Sequence, residues 1–252
     1  MIKRISIFQH KIDVSIPLFL LFAIALLSSC GESAGKRDIT KYYFPYKSLE
    51  EGKVYIYASA LPDQPEDYWF YKSLQQDGKW YLTAQNYDPN MEVRQFQSEV
   101  VVENGTVTEN YVLFRPTPEG RPEKIKTEVL QGNQFPFRVT DSLGVFLFSL
   151  KWTEDTEPVS NTTLTRNRRF LGDTSFIFQG KTIPAIRMSV RDLLEFDQEG
   201  TLEVETEAEE WYAENLGLVY LRKKINNNIS MEYTLDTLVE MEYFIQKYLP
   251  RQ

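Results

Sequence analysis

The sequence predicts a mainly β protein, a single domain built on a curved antiparallel sheet with one or two short helices against it. Three observations point there. Short runs rich in aromatic and β-branched residues recur along most of the chain, 14% of the residues are aromatic, and Gly-containing turn signals separate the runs at hairpin spacing. Only one segment carries a helical pattern.

In chain order, KVYIYASA (53–60), EDYWFYKSL (66–74) and KWYLTAQNYD (79–88) are the first strands. Asp77-Gly78 between the second and third supplies the positive φ of a tight hairpin. Asn104-Gly105 does the same between EVRQFQSEVVV and TVTENYVLFR, and PEKIKTEVL (122–130) follows. In TDSLGVFLFSLKW, Thr140, Asp141 or Ser142 can cap a helix whose Leu143, Phe146, Leu147 and Leu150 fall at i, i+3, i+4 and i+7. A buried strand also fits LGVFLFSL; the helix is the preferred expectation, lying across one face of the sheet and plugging it. Then come TTLTRNRRF (162–170), TSFIF (174–178), TIPAIRMSV (182–190), GTLEVETEAEEWYA (200–213), LVYLRKKI (218–225) and SMEYTLDTLVEM (230–241), with Pro184 marking a bulge or an edge.

Ahead of these strands the chain has a different character. Lys3, Arg4 and Lys11 precede a twelve-residue apolar stretch from Ile16 to Leu27, and Ser28 and Ser29 follow. That is the layout of a secretory signal, and the stretch is shorter than the roughly 20 residues a membrane-spanning helix needs. Leu27-Ser28-Ser29-Cys30 resembles the lipobox of bacterial lipoproteins. The resemblance implies cleavage before Cys30, a diacylglycerol thioether on its sulfur and an acylated (palmitate-type) amino terminus that anchors the protein to a membrane. The expected organisation is a signal peptide at 1–29, lipidated Cys30 with a flexible tether through residue 40, and a folded domain at 41–252. Gly31 after the cysteine, in place of Asp, lacks the inner-membrane retention signal of enteric bacteria and favours the outer membrane.

Cleavage also restricts the chemistry. His10, the only histidine, lies in the leader, and Cys30, the only cysteine, is taken by lipid. A mature chain without histidine or free thiol cannot build a Cys/His zinc site, a disulfide within one chain, or a Ser-His-Asp or Cys-His mechanism. No Gly-rich phosphate loop and no G-x-S-x-G elbow is present. A non-enzymatic protein without cofactor or metal is therefore expected. Losing Lys3, Arg4, Lys11 and Asp13 takes the formal charge from −8 to −10, which disfavours nucleic acid as a partner.

Three clusters remain as candidates. Glu203, Glu205, Glu207 and Glu209 alternate with Leu202, Val204, Thr206 and Ala208, so the acids share one strand face. They form either a calcium site or, preferably, a solvated outer face paired with Arg222 and Lys224. Arg166, Arg168 and Arg169 form either a phosphate or carboxylate grip or an exposed face. Tyr68, Trp69, Phe70 and Tyr71 place aromatics on both faces of one strand, to be covered by sheet and helix or to present rings outward.

TDSLGVFLFSLKW and the later EEWYAENLGLVYLRKK resemble the C-terminal half of half-barrel envelope lipoproteins and carriers, the group around the lipoprotein-localisation chaperones LolA and LolB. The resemblance covers about the last 110 residues. It implies a half-barrel: a strongly curved antiparallel sheet with helix on its concave face, enclosing an apolar cavity. The leading expectation is an envelope lipoprotein binding a lipid or other apolar molecule, with Phe146, Leu147, Leu150 and Trp211 at the ligand. The alternatives are an interaction module for another envelope protein, with a packed interior, and a carbohydrate-binding or carbohydrate-active protein with paired acids beside exposed aromatics.

Overall fold

The structure is a computed structural model and describes residues 36–62, 64–117, 122–140, 145–154, 157–225 and 229–248. The expected signal peptide, Cys30 and the first half of the tether, 31–35, lie outside the described residues. So do Asp141, Ser142 and Leu143, three of the residues on which the expected helix rested.

The folded unit starts at Lys36. Its strands are β1 (Arg37–Asp38), β2 (Lys53–Ser59), β3 (Asp67–Gln76), β4 (Lys79–Tyr87), β5 (Val93–Val102), β6 (Gly105–Arg115) and β7 (Glu123–Pro136). They continue with β8 (Arg138–Val139), β9 (Phe146–Glu154), β10 (Ser160–Phe178), β11 (Lys181–Asp197), β12 (Thr201–Ala213), β13 (Gly217–Lys224) and β14 (Ser230–Val239), and a short helix α1 (Met241–Tyr248) follows. Twelve strands close into an antiparallel barrel in the order β10-β11-β12-β13-β14-β2-β3-β4-β5-β6-β7-β9, while β1 and β8 pair separately.

This corrects the expected half-barrel. The sheet has no free pair of long edges because β9 pairs with β7 on one side and β10 on the other. It also corrects the expected helix: Phe146 to Leu150 is strand. Phe146, Phe148 and Leu150 satisfy period two as well as Phe146, Leu147 and Leu150 satisfy the helical period, and two neighbouring strands with unpaired backbone groups decide between them. Closure removes exposed sheet edges, which an open sheet must otherwise protect.

The α-helix sits on the outer wall, a third correction. Val54 and Ile56 on β2 pack with Tyr68 and Phe244 of α1, while the alternate residues Tyr55 and Tyr57 face the main core. The same alternation resolves the aromatic run on β3. Trp69 and Tyr71 face inward, and Tyr68 and Phe70 lie under α1. Both faces of that strand are covered.

The β3–β4 hairpin turns at Asp77 (φ 51°) and Gly78 (φ 75°), as its sequence predicts. The β10–β11 hairpin uses the same conformation at Gln179 and Gly180. There the two expected strands, 162–170 and 174–178, join into one 19-residue strand with a register shift between Phe170 and Gly172. β9 covers β10 only to Arg168, and β12 covers β11 only from Ala185. The rest of the hairpin continues as a two-stranded ribbon whose Phe176 packs into the main core, and Pro184 lies where β12 ends, its C=O accepting from Glu214 N–H at 2.9 Å.

One end of the barrel is closed by the segment preceding β2. Ile39, Tyr42, Tyr43, Phe44 and Leu49 are buried in the main core with Tyr55, Tyr71, Phe135, Phe137 and Tyr212. Backbone bonds from Ile39 N–H to Phe137 C=O (2.8 Å) and from Asn215 N–H to Lys41 C=O (2.9 Å) hold this plug in place. The last residues of the expected tether thus enter the fold, with Ile39 fully buried.

Candidate functional site

A closed antiparallel barrel of eight strands is just wide enough to be filled by side chains, and the interior widens with strand number. With twelve strands, long side chains and the plug fill only part of the space, and a partly open cavity of about 230 Å³ remains in the lumen. Period-two alternation selects its lining. β3 contributes Asp67, Trp69 and Tyr71; β5 contributes Gln95, Gln97 and Glu99; β10 contributes Leu164, Arg166 and Arg168; β12 contributes Ala208, Glu210 and Tyr212. Tyr111, Gln134, Phe148, Asp192, Lys223 and Tyr233 come from other strands, and Tyr43 and Phe44 form the floor, where the Phe44 ring stacks on Tyr71 at 4.1 Å.

Charged side chains divide this lining. Deepest, Arg168 donates from Nε and Nη2 to Glu210 at 2.8 and 3.3 Å and from Nη1 to the Gln134 carbonyl at 3.2 Å. The Tyr212 hydroxyl donates to the same carboxylate at 2.7 Å. One position along β10, Arg166 makes a two-pronged contact with Asp192 at 2.7 and 2.9 Å, and Lys223 Nζ reaches Asp192 at 2.8 Å. Asp192 is sealed, while Arg166 and Lys223 keep 26% and 25% of their side-chain surface exposed. Burial pushes the Asp192 and Glu210 carboxyls upward, but the facing cations, Arg166 with Lys223 and Arg168 respectively, overcome it and hold both below their ordinary values.

Two further acids have only neutral hydrogen-bond partners, with an arginine acting on each at longer range, Arg168 on Glu99 and Arg94 on Asp67. Glu99 accepts from the Tyr43 hydroxyl at 2.6 Å and from the Gln97 amide at 3.0 Å. Asp67 accepts from Trp69 Nε1 and Asn86 Nδ2, both at 2.7 Å. For both, burial outweighs these donors and raises the carboxyl above its ordinary value. Burial likewise keeps Tyr43, Tyr57, Tyr71 and Tyr212 as neutral hydroxyls. The buried Gln134 Oε1 has no partner among the described residues.

The expected ligand residues are dispersed. Phe148, between them in sequence, lines the cavity; Phe146 and Leu150 share its strand face, and Leu147 alternates to the other. Trp211 alternates with the lumenal Glu210 and Tyr212, and its ring packs on Tyr220 at 4.7 Å while its Nε1 donates to Glu209. The four alternating acids face outward, on the same side as Arg222 and Lys224 as expected, and the register sets Glu209 opposite Arg222 and Glu207 opposite Lys224. Glu207 pairs with Arg191, and Glu209 with Arg187 and Arg222. Of the three arginines, Arg166 and Arg168 turn inward onto carboxylates and Arg169 is exposed.

Lumenal Glu99, Asp192, Glu210 and Lys223 were not anticipated as site residues. A signal for Glu210 was present, since it is the one acid in that run in phase with Thr206, Ala208 and Tyr212. Leu164-x-Arg166-x-Arg168 likewise places two arginines on the face of an apolar residue.

Neither a protein-family model nor a curated protein matches the chain. Two crystal structures are similar to it. One is a protein of Parabacteroides distasonis ATCC 8503 provisionally classed as a lipoprotein, with a TM-score of 0.50, 14% identity, and 80% of this chain and 100% of that one covered. The other is a provisionally classed exported protein with a YmcC-like fold from Bacteroides fragilis NCTC 9343, with a TM-score of 0.48, 11% identity, and 78% and 98% covered.

Proposed function

We propose that this chain is a non-enzymatic binding protein of the bacterial envelope, anchored through lipidated Cys30 with the outer membrane preferred, and that its lumen takes up a small polar organic molecule. The observation that carries the binding reading is the cavity, walled by aromatic rings, amides and ion pairs inside a closed barrel. The leader sequence supports the envelope address, and the likeness to the Parabacteroides protein supports the fold on which the reading is built.

The lining argues for a polar occupant in place of a lipid. Asp67, Glu99, Arg166, Arg168, Asp192, Glu210 and Lys223 all border the space. Acyl chains laid against them would desolvate those groups without offering any hydrogen bond in return. The volume of about 230 Å³ is also below the range of roughly 300–1,000 Å³ common for drug-sized ligands.

The outer wall supports a barrel standing in water. Exposed Lys72, Arg191, Glu203, Glu205 and Glu207 lie on it. A charged side chain on the lipid face of a membrane barrel costs up to about 2–4 kcal/mol at mid-depth for Arg or Lys. The acyl chains on Cys30, and not the strands, are then the membrane contact.

The test is to purify the protein from its own envelope, extract it and analyse the small molecules by mass spectrometry, with a fluorescent fatty acid as a competing probe. A water-soluble molecule recovered with the protein and no uptake of the fatty acid is the expected result. Recovery of phospholipid or fatty acid, or saturable binding of the probe, overturns the reading. Metabolic labelling with a palmitate analogue tests the anchor: label on the native chain and none on Cys30→Ser is expected, and label retained by the variant refutes it.

A further inference from the structure

Resting on the lumen as the binding site, we infer that its ligand is an anion: a small molecule bearing a carboxylate or phosphate group that docks on Arg166 and Lys223. Arg168 and Glu210 pair one to one, whereas the neighbouring group sets two cations, Arg166 and Lys223, against the single carboxylate of Asp192, so that group carries one cation more than it has carboxylates. A surplus charge in a poorly solvated space is costly and attracts an anion far more strongly than it would in water.

The surplus is displayed, not buried. Each of the three Arg168 nitrogens is engaged, on Glu210 and the Gln134 carbonyl. Arg166, by contrast, uses only Nε and Nη2 on Asp192, and Lys223 spends one of its three donor protons there. Among the described residues no other hydrogen-bond acceptor meets Arg166 Nη1 or Lys223 Nζ. Both side chains are about a quarter exposed and line the cavity, whereas the carboxylate they share is 1% exposed. Two cationic donors flanking a sealed carboxylate therefore offer the cavity a second fork, the arrangement that takes a two-oxygen anion.

The other lumenal acids do not fill this fork. Glu99 and Asp67 are held by Tyr43 with Gln97 and by Trp69 with Asn86, and neither makes an ion pair within 4.0 Å among the described residues. Trp69, Tyr111 and Phe148 border the same cavity and would cover the ligand's apolar body.

Calorimetric titration of the purified protein with benzoate, phenyl phosphate and the neutral benzamide tests this, alongside Lys223→Met, Lys223→Arg and, as an outer-wall control, Lys72→Met. At least one anion should bind tenfold or more tightly than benzamide; the tighter of the two identifies carboxylate or phosphate as the preferred group. Lys223→Met keeps the Arg166–Asp192 contact and should lose tenfold or more for that anion, while Lys223→Arg and Lys72→Met retain affinity within about threefold. Benzamide binding as tightly as both anions, or Lys223→Met binding unchanged, overturns the anion inference and leaves a neutral-ligand lumen standing. If none of the three probes binds, both the inference and the lumenal reading fall.

Discussion

Glu210→Gln should be among the most destabilising single changes available in this barrel. Arg168 and Glu210 are 3% and 4% exposed, and the substitution removes the negative charge while keeping the shape. Arg168 then remains cationic in a site whose one facing carboxylate is gone, and an amide N–H₂ competes for space with the guanidinium and the Tyr212 hydroxyl. Removing one partner of a buried pair costs about 3–5 kcal/mol, and because Gln retains one acceptor oxygen the lower end, about 3 kcal/mol, is expected. With a urea dependence of about 2–3 kcal/mol per molar for a domain of this size, the unfolding midpoint should fall by about 1 M or more with its slope unchanged. Equilibrium urea unfolding followed by far-ultraviolet circular dichroism reads this directly. A double variant, Arg168→Met with Glu210→Leu, should recover most of the loss, since an apolar pair avoids desolvating either ion. A loss below about 1 kcal/mol for Glu210→Gln, the range of solvent-exposed pairs, would refute the description of a buried, mutually dependent pair.

The same chemical change at Glu99 should behave differently: its hydrogen-bond partners are neutral and burial raises its carboxyl, so Glu99→Gln should be neutral or stabilising at pH 7 in the same urea assay, and a loss comparable to that of Glu210→Gln would contradict the assignment. Acidification should destabilise the protein through Asp192 and Glu210. Their folded carboxyls lie below the ordinary value, so their contribution is present above about pH 4 and is lost as pH falls through the folded values. Glu99 and Asp67 partly offset this because they take up protons more readily when folded. Urea midpoints from pH 7 to pH 2 should therefore fall less steeply below pH 4 for Asp192→Asn than for the native chain; identical acid limbs would count against the Arg166–Asp192–Lys223 cluster. Gly217→Ala should cost about 1–3 kcal/mol, since Gly217 has φ +83° and a β-carbon there would lie 2.4 Å from the Phe44 ring on the lumen floor, and a melting temperature equal to the native one would argue against that packing.

Most of the strand content was legible because outward and inward residues alternate and because Asp77-Gly78 marks the β3–β4 turn; Asn104, expected to do the same, has no positive φ and Gly105 opens β6, while the β10–β11 turn uses Gln179-Gly180. The outer face was legible as a face: the alternation puts Glu207 and Glu209 on the side that Lys224 and Arg222 share, and the structure supplies the register. Closure was not, since no local property of Phe146–Leu150 records that β7 and β10 each lack a partner. The helical spacing of Leu143, Phe146, Leu147 and Leu150 competed with the period-two spacing of Phe146, Phe148 and Leu150, and only the neighbouring strands separate them. The site was hidden for a related reason. Composition suggests that charged residues face water, yet a twelve-strand lumen is wide enough to bring Arg166 from β10, Asp192 from β11 and Lys223 from β13 onto one wall. Their pairing depends on register across four adjacent strands, β10 to β13, which no single stretch of sequence displays.

The central claim, that the lumen is a ligand site with an anion-binding wall, is tested most directly by a crystal structure of the protein grown with the tighter of benzoate and phenyl phosphate. The account predicts ligand density inside the barrel, its anionic oxygens within hydrogen-bond distance of Arg166 and Lys223 and its ring against Trp69 or Phe148. A lumen holding only ordered water, with the compound absent or bound on the outer wall, would contradict it.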